Sequence, residues 1–526
     1  MTAHDVLVIG AGHNGLAAGA YLARAGLNTL VLEAGESVGG MTNTCAPIEA
    51  APNHRMNLCA VDVVFMRGNS IRQDLELDRF GYRELEVDPS YVYFHPDDAS
   101  LALWRDPRKT AEEIRRFSPH DAAAFLELAR DLDAIIDLGG AYLDSDALRP
   151  GVRTVASMAG AAVRRARRLP AVSALALSSA AEVLHGRFRS EIVRNAIAQL
   201  ATTAAGPLDA DMSGLGLMFL GFVHRWGVGR PMGGTQAVPD AMLASMVASG
   251  GRVRTGARVE TILTSGNRVT GVQLAGGEEI TAWCGVVSTI DPAQLLGELL
   301  PDSVLDDRQR ARVAGIPTAA FGACPAKVDV ALSGRLRVGR YEKRRGDGLD
   351  LRIPSGLIGG LDAICRSFPQ SAGGQIPDDI HLFTVVPTAM DPSQAPEGQD
   401  TLYLYVPAMP RNPAVPWNEQ AEALGKAMVS VAAQHYDGIE ELEIGRFVET
   451  PDDMARRTGA TYAAPPFHVD FAISRLGPLR PALGMAGARG PVPGLFLGGA
   501  GSHPGPGING VPGRLAAQAV IRRKRR

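Results

Sequence analysis

Gly10-Ala11-Gly12-His13-Asn14-Gly15 has the spacing G-x-G-x-x-G, and Glu33 follows its last glycine by 18 residues. Residues of these types at this spacing can hold a dinucleotide. The first glycine permits a sharp turn and the second leaves room for a pyrophosphate. The third lets a helix pack close to a strand, and the acid reaches the ribose hydroxyls. A helix N-terminus behind the loop adds unpaired N–H groups and the positive end of a dipole. The bland alternative is a loop of structural glycines, so the flanking elements decide.

Residues 5–9 are a short apolar run suited to a buried parallel strand. Residues 16–25 are Ala- and Leu-rich and helical, with Gly26 as the expected stop. Residues 28–32 form a second strand, so the loop sits inside a βαβ unit. A second segment begins at Gly233-Gly234, where Thr235 is placed to cap a helix over 238–248 that Gly250-Gly251 ends. Strands at 252–254 and 259–263 follow, then a hairpin of 269–274 and 279–282 around Gly276-Gly277. A separate strand at 286–288 stops at Asp291-Pro292. The last segment is a strand at 495–497, a glycine-rich loop, and a helix from about 512 to 521. Between these pieces, 122–138 and 190–204 have helical periodicity, and 382–386 and 401–406 read as strands.

Two further stretches narrow the cofactor. Residues 33–42 carry Gly39-Gly40 after the acid, which resembles the extended fingerprint of glutathione-reductase-type flavoproteins. Residues 494–514, with Gly498-Gly499-Ala500-Gly501 and Gly507-Ile508-Asn509-Gly510, resemble the closing motif of phytoene desaturase-like FAD-dependent oxidoreductases. Within that group the nearest resemblance is to the pyridine nucleotide-disulfide oxidoreductase domain-containing protein 2 type. Residues 233–259 and 286–292 resemble the family's internal segment, so about a third of the chain carries the likeness. Two departures stand out: Met41 replaces an Arg frequent after the glycine pair, and residues 51–57 replace a Gly-Phe-x-Phe-Asp segment. They leave FAD in place and put a carotenoid substrate in doubt.

The resemblance implies an α/β fold with a glutathione-reductase-type, Rossmann-like FAD-binding domain, discontinuous in sequence. That domain would comprise residues 1–75, 233–295 and 470–526, with an inserted α+β substrate domain from 76–232 and 296–469. FAD would contact Gly10, Gly12, Asn14, Gly15, Glu33, Ala34, Gly39, Gly40, Met41, Thr42, Val259, Gly499, Ala500, Gly507, Ile508 and Asn509. The expected reaction is dehydrogenation of an apolar or amphipathic small molecule by hydride transfer to flavin, with oxygen or a quinone taking the electrons. A redox-neutral isomerase and a non-enzymatic lipid-binding scaffold are the alternatives. No catalytic base is located. His503, His224 and Tyr462 are weak candidates, and His468 and Arg475 could line a pocket.

Composition bounds the rest. A formal net charge of −3 gives no general reason to expect nucleic acid. The five cysteines include no C-x-x-C pair, which points away from disulfide exchange, a disulfide framework or a metal site. No second NAD-type loop marks a nicotinamide cofactor. The N-terminus lacks a signal-peptide pattern and the apolar run 215–223 is too short to span a bilayer, so a cytoplasmic location is expected. The basic runs 164–168 and 522–526 read first as a solvated helix face and a frayed tail. Docking of such a run on acidic lipid head groups, a peripheral membrane contact, stays open as the alternative.

Overall fold

The computed structural model describes residues 3–202, 206–318, 320–460, 467–470 and 475–524. Tyr462, the end of the helix expected over 190–204, and the last two arginines of the terminal run lie outside the described residues.

The N-terminal βαβ unit is Ala3–Ile9, His13–Arg24 and Thr29–Leu32. Val6, Leu7 and Val8 are fully buried, because helices or loops cover both faces of the parallel strand. The helix buries Leu16 and Leu22, each contributing about 2 kcal/mol by leaving water. Gly26 lies at φ +76°, as a stop at that point requires.

Around this unit a seven-stranded sheet runs in the order Val259–Ser265, Arg268–Leu274, Glu279–Ser288, Ala3–Ile9, Thr29–Leu32, Arg252–Arg254. Leu495–Leu497 adds a parallel partner to the end of Glu279–Ser288. Segments from three distant parts of the sequence thus share one sheet. The two strands expected at 279–282 and 286–288 are one strand. Gly285, at φ +132°, carries the chain past Gly494, whose carbonyl lies 2.2 Å from where a Cβ would stand. On that edge the strand thereby changes from antiparallel pairing with Arg268–Leu274 to parallel pairing with Leu495–Leu497, while its other edge runs parallel to Ala3–Ile9.

The helix expected at 238–248 spans Ala237–Ala248, but Thr235 does not cap it. Its hydroxyl is buried 3.3 Å from Asn57 Oδ1, which also accepts the Thr235 N–H at 2.9 Å. A cross-chain acceptor outcompetes the local cap.

A second seven-stranded sheet is ordered Glu443–Glu449, Ala323–Leu332, Asp400–Pro410, Leu382–Val385, Ser355–Ile358, Tyr91–Phe94, Ser100–Leu103. Strand alternation divides its residues between two cores. Tyr91, Tyr93 and Leu357 pack with Phe125 and Leu128 of the helix Pro119–Leu143. Val92, Phe94 and Ile358 pack with Trp417 and Met428 of the helix Trp417–Ala433. No described helix is long and apolar enough to cross a membrane.

Candidate functional site

The glycine-rich turn opens a groove of about 420 Å³. Gly10 sits at φ +92°, and a Cβ on Gly15 would lie 1.9 Å from the Gly10 carbonyl oxygen. Those two glycines serve the turn and its packing. Gly12 differs: its backbone is extended, and the nearest atom to an added Cβ is the Gly39 oxygen at 3.9 Å. The helix behind it has no side-chain cap, so its first N–H groups are left for a ligand. The Asn14 Oδ1 is buried without a hydrogen-bond partner.

Glu33 closes the far end of the turn. Its Oε2 accepts the Ala11 N–H at 2.7 Å and its Oε1 the Gly35 N–H at 2.9 Å. It holds the loop and lines the groove with Ala34 and Val259. Gly39 donates its N–H to the Ala11 carbonyl at 2.9 Å, so the glycine pair lies against the first loop. Gly39 and Gly40 both adopt positive φ, and Gly40 and Met41 line the groove.

An arginine is supplied where Met41 stands in the sequence. Arg457, from the helix Pro451–Thr458, lines the groove within 3.4 Å of the Gly40 carbonyl and 3.7 Å of Met41 Sδ. The Glu449 carboxylate holds it at 2.5 Å.

His13, inside the first motif, joins the two ends of the chain. Its Nδ1 meets Thr42 Oγ1 at 3.0 Å and its Nε2 the Gly507 carbonyl at 3.1 Å. A carbonyl only accepts, so Nε2 carries the proton and Nδ1 accepts from the Thr42 hydroxyl. Burial pushes this imidazole down to about 4, which keeps it neutral near pH 7.

The C-terminal loop completes the enclosure. A Cβ on Gly499 would lie 2.3 Å from the Thr289 oxygen, so that residue serves packing. Ala500 lines the groove and also an inner cavity of about 200 Å³, which Gly507, Ile508 and Thr42 line too. Asn509 fixes the loop: its Oδ1 accepts the Val511 N–H at 2.8 Å and its Nδ2 donates to the Gly507 carbonyl at 3.0 Å.

The inner cavity is walled by Tyr91, Phe383, Tyr403 and Tyr405. Tyr403 and Tyr405 are two apart on Asp400–Pro410, so the alternation of that strand aims both inward, their rings stacked at 6.4 Å. Lys327, fully buried, lies 4.6 Å behind the Tyr403 ring and donates to Asp329 at 2.5 Å. Burial holds the phenols of Tyr91, Tyr403 and Tyr405 well above their usual range and raises the Cys59 thiol to about 11. Asp62 is the carboxylate on this wall. It takes Arg230 Nε at 3.1 Å and the Ser355 hydroxyl at 2.6 Å.

An outer cavity of about 320 Å³ adjoins the inner one at Phe65, Phe219 and Pro506, which line both. Leu215, Met218, Phe222 and Trp226 make its wall apolar.

The weak catalytic candidates do not converge here. His224 meets the Arg105 carbonyl through Nδ1 at 3.0 Å, edge-on to Phe125, outside all three cavities. His503 turns its Nε2 to the Tyr142 carbonyl at 3.1 Å and is likewise outside them. His468 lines the groove, whereas Arg475 lines none of the three. The residues that do face the cavities, His13, Asp62, Tyr403, Tyr405 and Arg457, were not singled out from sequence. Two of them had a signal, the i, i+2 tyrosine pair in a recognised strand.

Burial also holds His381, His435 and His468 down to about 4, like His13. Their folded-state values lie below the ordinary 6.5, so protons favour the unfolded chain. The stability they contribute is complete above about pH 6.5 and is lost as pH falls from there through 4. Melting temperatures across that window should fall steadily with pH. A flat profile would mean that these imidazoles are not held neutral.

The comparisons with known proteins agree with this geometry. A family model described as FAD dependent oxidoreductase matches residues 5–196. The rat pyridine nucleotide-disulfide oxidoreductase domain-containing protein 2 is 28% identical over 99% of this chain and 93% of its own length. The zeta-carotene-forming phytoene desaturase of Myxococcus xanthus is 27% identical over 98% of this chain and 93% of its own. Among solved structures, an oxidoreductase from Methanosarcina mazei superposes with a TM-score of 0.60, at 15% identity, over 99% of this chain and 100% of that one. With its glycine-rich groove, a matched FAD-dependent oxidoreductase domain and relatives along nearly its whole length, the chain is an FAD-dependent oxidoreductase similar to pyridine nucleotide-disulfide oxidoreductase domain-containing protein 2 and to phytoene desaturases.

Proposed function

We propose that the protein dehydrogenates an apolar or amphipathic small molecule, which reaches the flavin through the outer and inner cavities. The observation that carries this is that the three spaces adjoin one another across shared walls. His13, Met41 and Ala500 are shared by the groove and the inner cavity, and Phe65, Phe219 and Pro506 by the inner and outer cavities. A dinucleotide in the groove would therefore end against the inner cavity. Bound FAD would supply a hydride acceptor there.

The chain's own residues account for the rest. Gly12, Asn14 and the helix N-terminus would receive the pyrophosphate, with Arg457 beside Gly40 offsetting its charge. Glu33 would accept from the ribose, since each carboxylate oxygen keeps a lone pair after its backbone bond. His13 would lock the C-terminal loop over the cofactor. The aromatic wall would orient an uncharged substrate and exclude water. Residues 1–75, 233–295 and 470–526 would form the cofactor domain, and the remainder the substrate domain. The apolar walls of the inner cavity favour this reading over a site for charged substrates, because an ammonium there would find only Asp62, already held by Arg230.

Anaerobic mixing of the yellow protein with carotenoids, fatty compounds and amines tests the proposal. Bleaching by a carotenoid or fatty compound is expected, slowed by Ala210→Trp, which would fill the outer cavity without touching the groove. Bleaching by amines alone would overturn it. Bleaching followed by recovery without an acceptor, with an isomerised product, would favour the redox-neutral alternative.

A further inference from the structure

Between Asp146 and Glu182 the chain has six arginines and no acidic residue. The helices Val152–Arg164 and Leu169–Leu177 occupy this stretch. An ordinary surface helix turns its apolar stripe inward; Val152–Arg164 does so with Met158, Ala161 and Ala162 but carries a second apolar stripe on its outer face. Val152, Ala156, Ala159 and Val163, spaced by four, three and four, fall on one stripe, and all are exposed with Val155 beside them. Val152 and Val163 are 87% and 79% exposed. Leu177, on the second helix, is 67% exposed. The inward face is anchored by charge: Arg165 meets Asp133 and Asp137 at 2.6 and 2.7 Å, and Arg168 meets Glu127 and Asp131 at 2.6 and 3.1 Å. The other four arginines, Arg149, Arg153, Arg164 and Arg167, are exposed and make no ion pair among the described residues.

This face adjoins the substrate route. The turn Ser213–Leu217 packs on the second helix through the Gly214 N–H, 3.0 Å from the Ser178 carbonyl. Met212, just before that turn, is partly exposed and lines the outer cavity. Gly140 and Leu143, from the helix against which Val152–Arg164 packs, line it too.

We infer that the two helices dock the protein on an anionic lipid bilayer and set the outer cavity against the acyl region, an inference resting on the apolar-substrate reading above. The valine stripe would enter the interface, and the four unpaired arginines would meet lipid phosphates. The absence of any acid on the two helices themselves makes them complementary to an anionic surface in particular, with the exposed Asp209 and Asp211 lying beyond them before the Ser213–Leu217 turn.

The test is co-sedimentation of the flavin-loaded, full-length protein with vesicles of phosphatidylcholine alone or of phosphatidylcholine with phosphatidylglycerol. Pelleting with the anionic vesicles is expected. It should weaken on the order of tenfold or more in Arg153→Gln/Arg164→Gln/Arg167→Gln and in Val155→Asp/Val163→Asp. Flavin content should not change, because these side chains are exposed and remote from the groove. If the valine variant fails to fold, the arginine variant alone decides. Failure to pellet with either vesicle, or variants that pellet like the wild type, would overturn the inference. So would a dimer that Val155→Asp/Val163→Asp splits, which would mark the face as a contact between copies. Flavin bleaching by a soluble short-chain apolar compound would keep the proposed function standing even if vesicles were not bound.

Discussion

Gly12→Val gives a folded, colourless protein. Without ligand, the Gly12 site tolerates a side chain: its φ of −69° and ψ of 172° suit any residue, and the nearest atom to a Cβ is 3.9 Å away. The space a valine would fill is the groove itself, where the pyrophosphate must approach the backbone. Flavin affinity should fall on the order of a hundredfold or more, about 3 kcal/mol, with the unfolding midpoint of the apoprotein almost unmoved. Gly15→Val and Gly513→Val should behave differently. Their side chains would start 1.9 Å from the Gly10 and Asn14 carbonyl oxygens, between elements that cannot separate without opening the core. Those variants should lose soluble protein, not merely colour. Flavin-to-protein ratios together with denaturant curves separate the two outcomes. A Gly12→Val protein that purifies fully yellow would remove the pyrophosphate from this turn.

That contrast marks where sequence stops informing structure. The βαβ unit was readable because its strand, turn and helix lie within about thirty residues, and each carries its own signal in Gly10, Gly26 and the apolar runs. The strand at Leu495–Leu497 and its loop were readable from motif alone. Their pairing beside Val286–Ser288 was not, because long-range register leaves no local trace. The same holds for Ser355–Ile358 lying parallel to Tyr91–Phe94 across more than 250 residues. The site divides likewise. Glycines announce their backbone role by type, whereas a histidine does not announce which way it points. His503 stands in the C-terminal glycine-rich loop yet turns to Tyr142, and His13, unremarked between two motif glycines, spans to Gly507. Arg457 shows the limit from the other side. A cation absent at Met41 arrives from a helix some 400 residues later, where only the fold can bring it.

Arg480→Met should cost stability and flavin together. Arg480 is fully buried, and it is held by main-chain carbonyls. Its Nε and Nη2 donate to Ala500 O at 3.1 and 2.8 Å, and Nη2 also to Phe467 O at 2.8 Å and Val469 O at 3.2 Å. Nη1 donates to Asp470 O at 3.2 Å. Burial draws the guanidinium down to about 9, still charged near neutral pH. One planar fork thus ties the segment 467–470 to the carbonyl of Ala500, which lines both the groove and the inner cavity. Methionine fills much of the volume but takes the guanidinium donors from the Ala500 and Val469 carbonyls in a dry interior, while the Phe467 carbonyl keeps the Val469 N–H at 2.7 Å. The expected loss is about 3–5 kcal/mol, since unpaired buried polar groups cost roughly 1–3 kcal/mol each and do not add fully. Arg480→Lys should rescue little of it, because a single ammonium cannot reach carbonyls on both sides of a planar fork. Denaturant unfolding of the apoprotein measures the first effect and flavin titration the second. Both should move, since Ala500 would no longer be held where the groove and the inner cavity meet. A variant as stable as the wild type to within about 1 kcal/mol, and as yellow, would mean that the loop is held by its own glycine and asparagine turns instead.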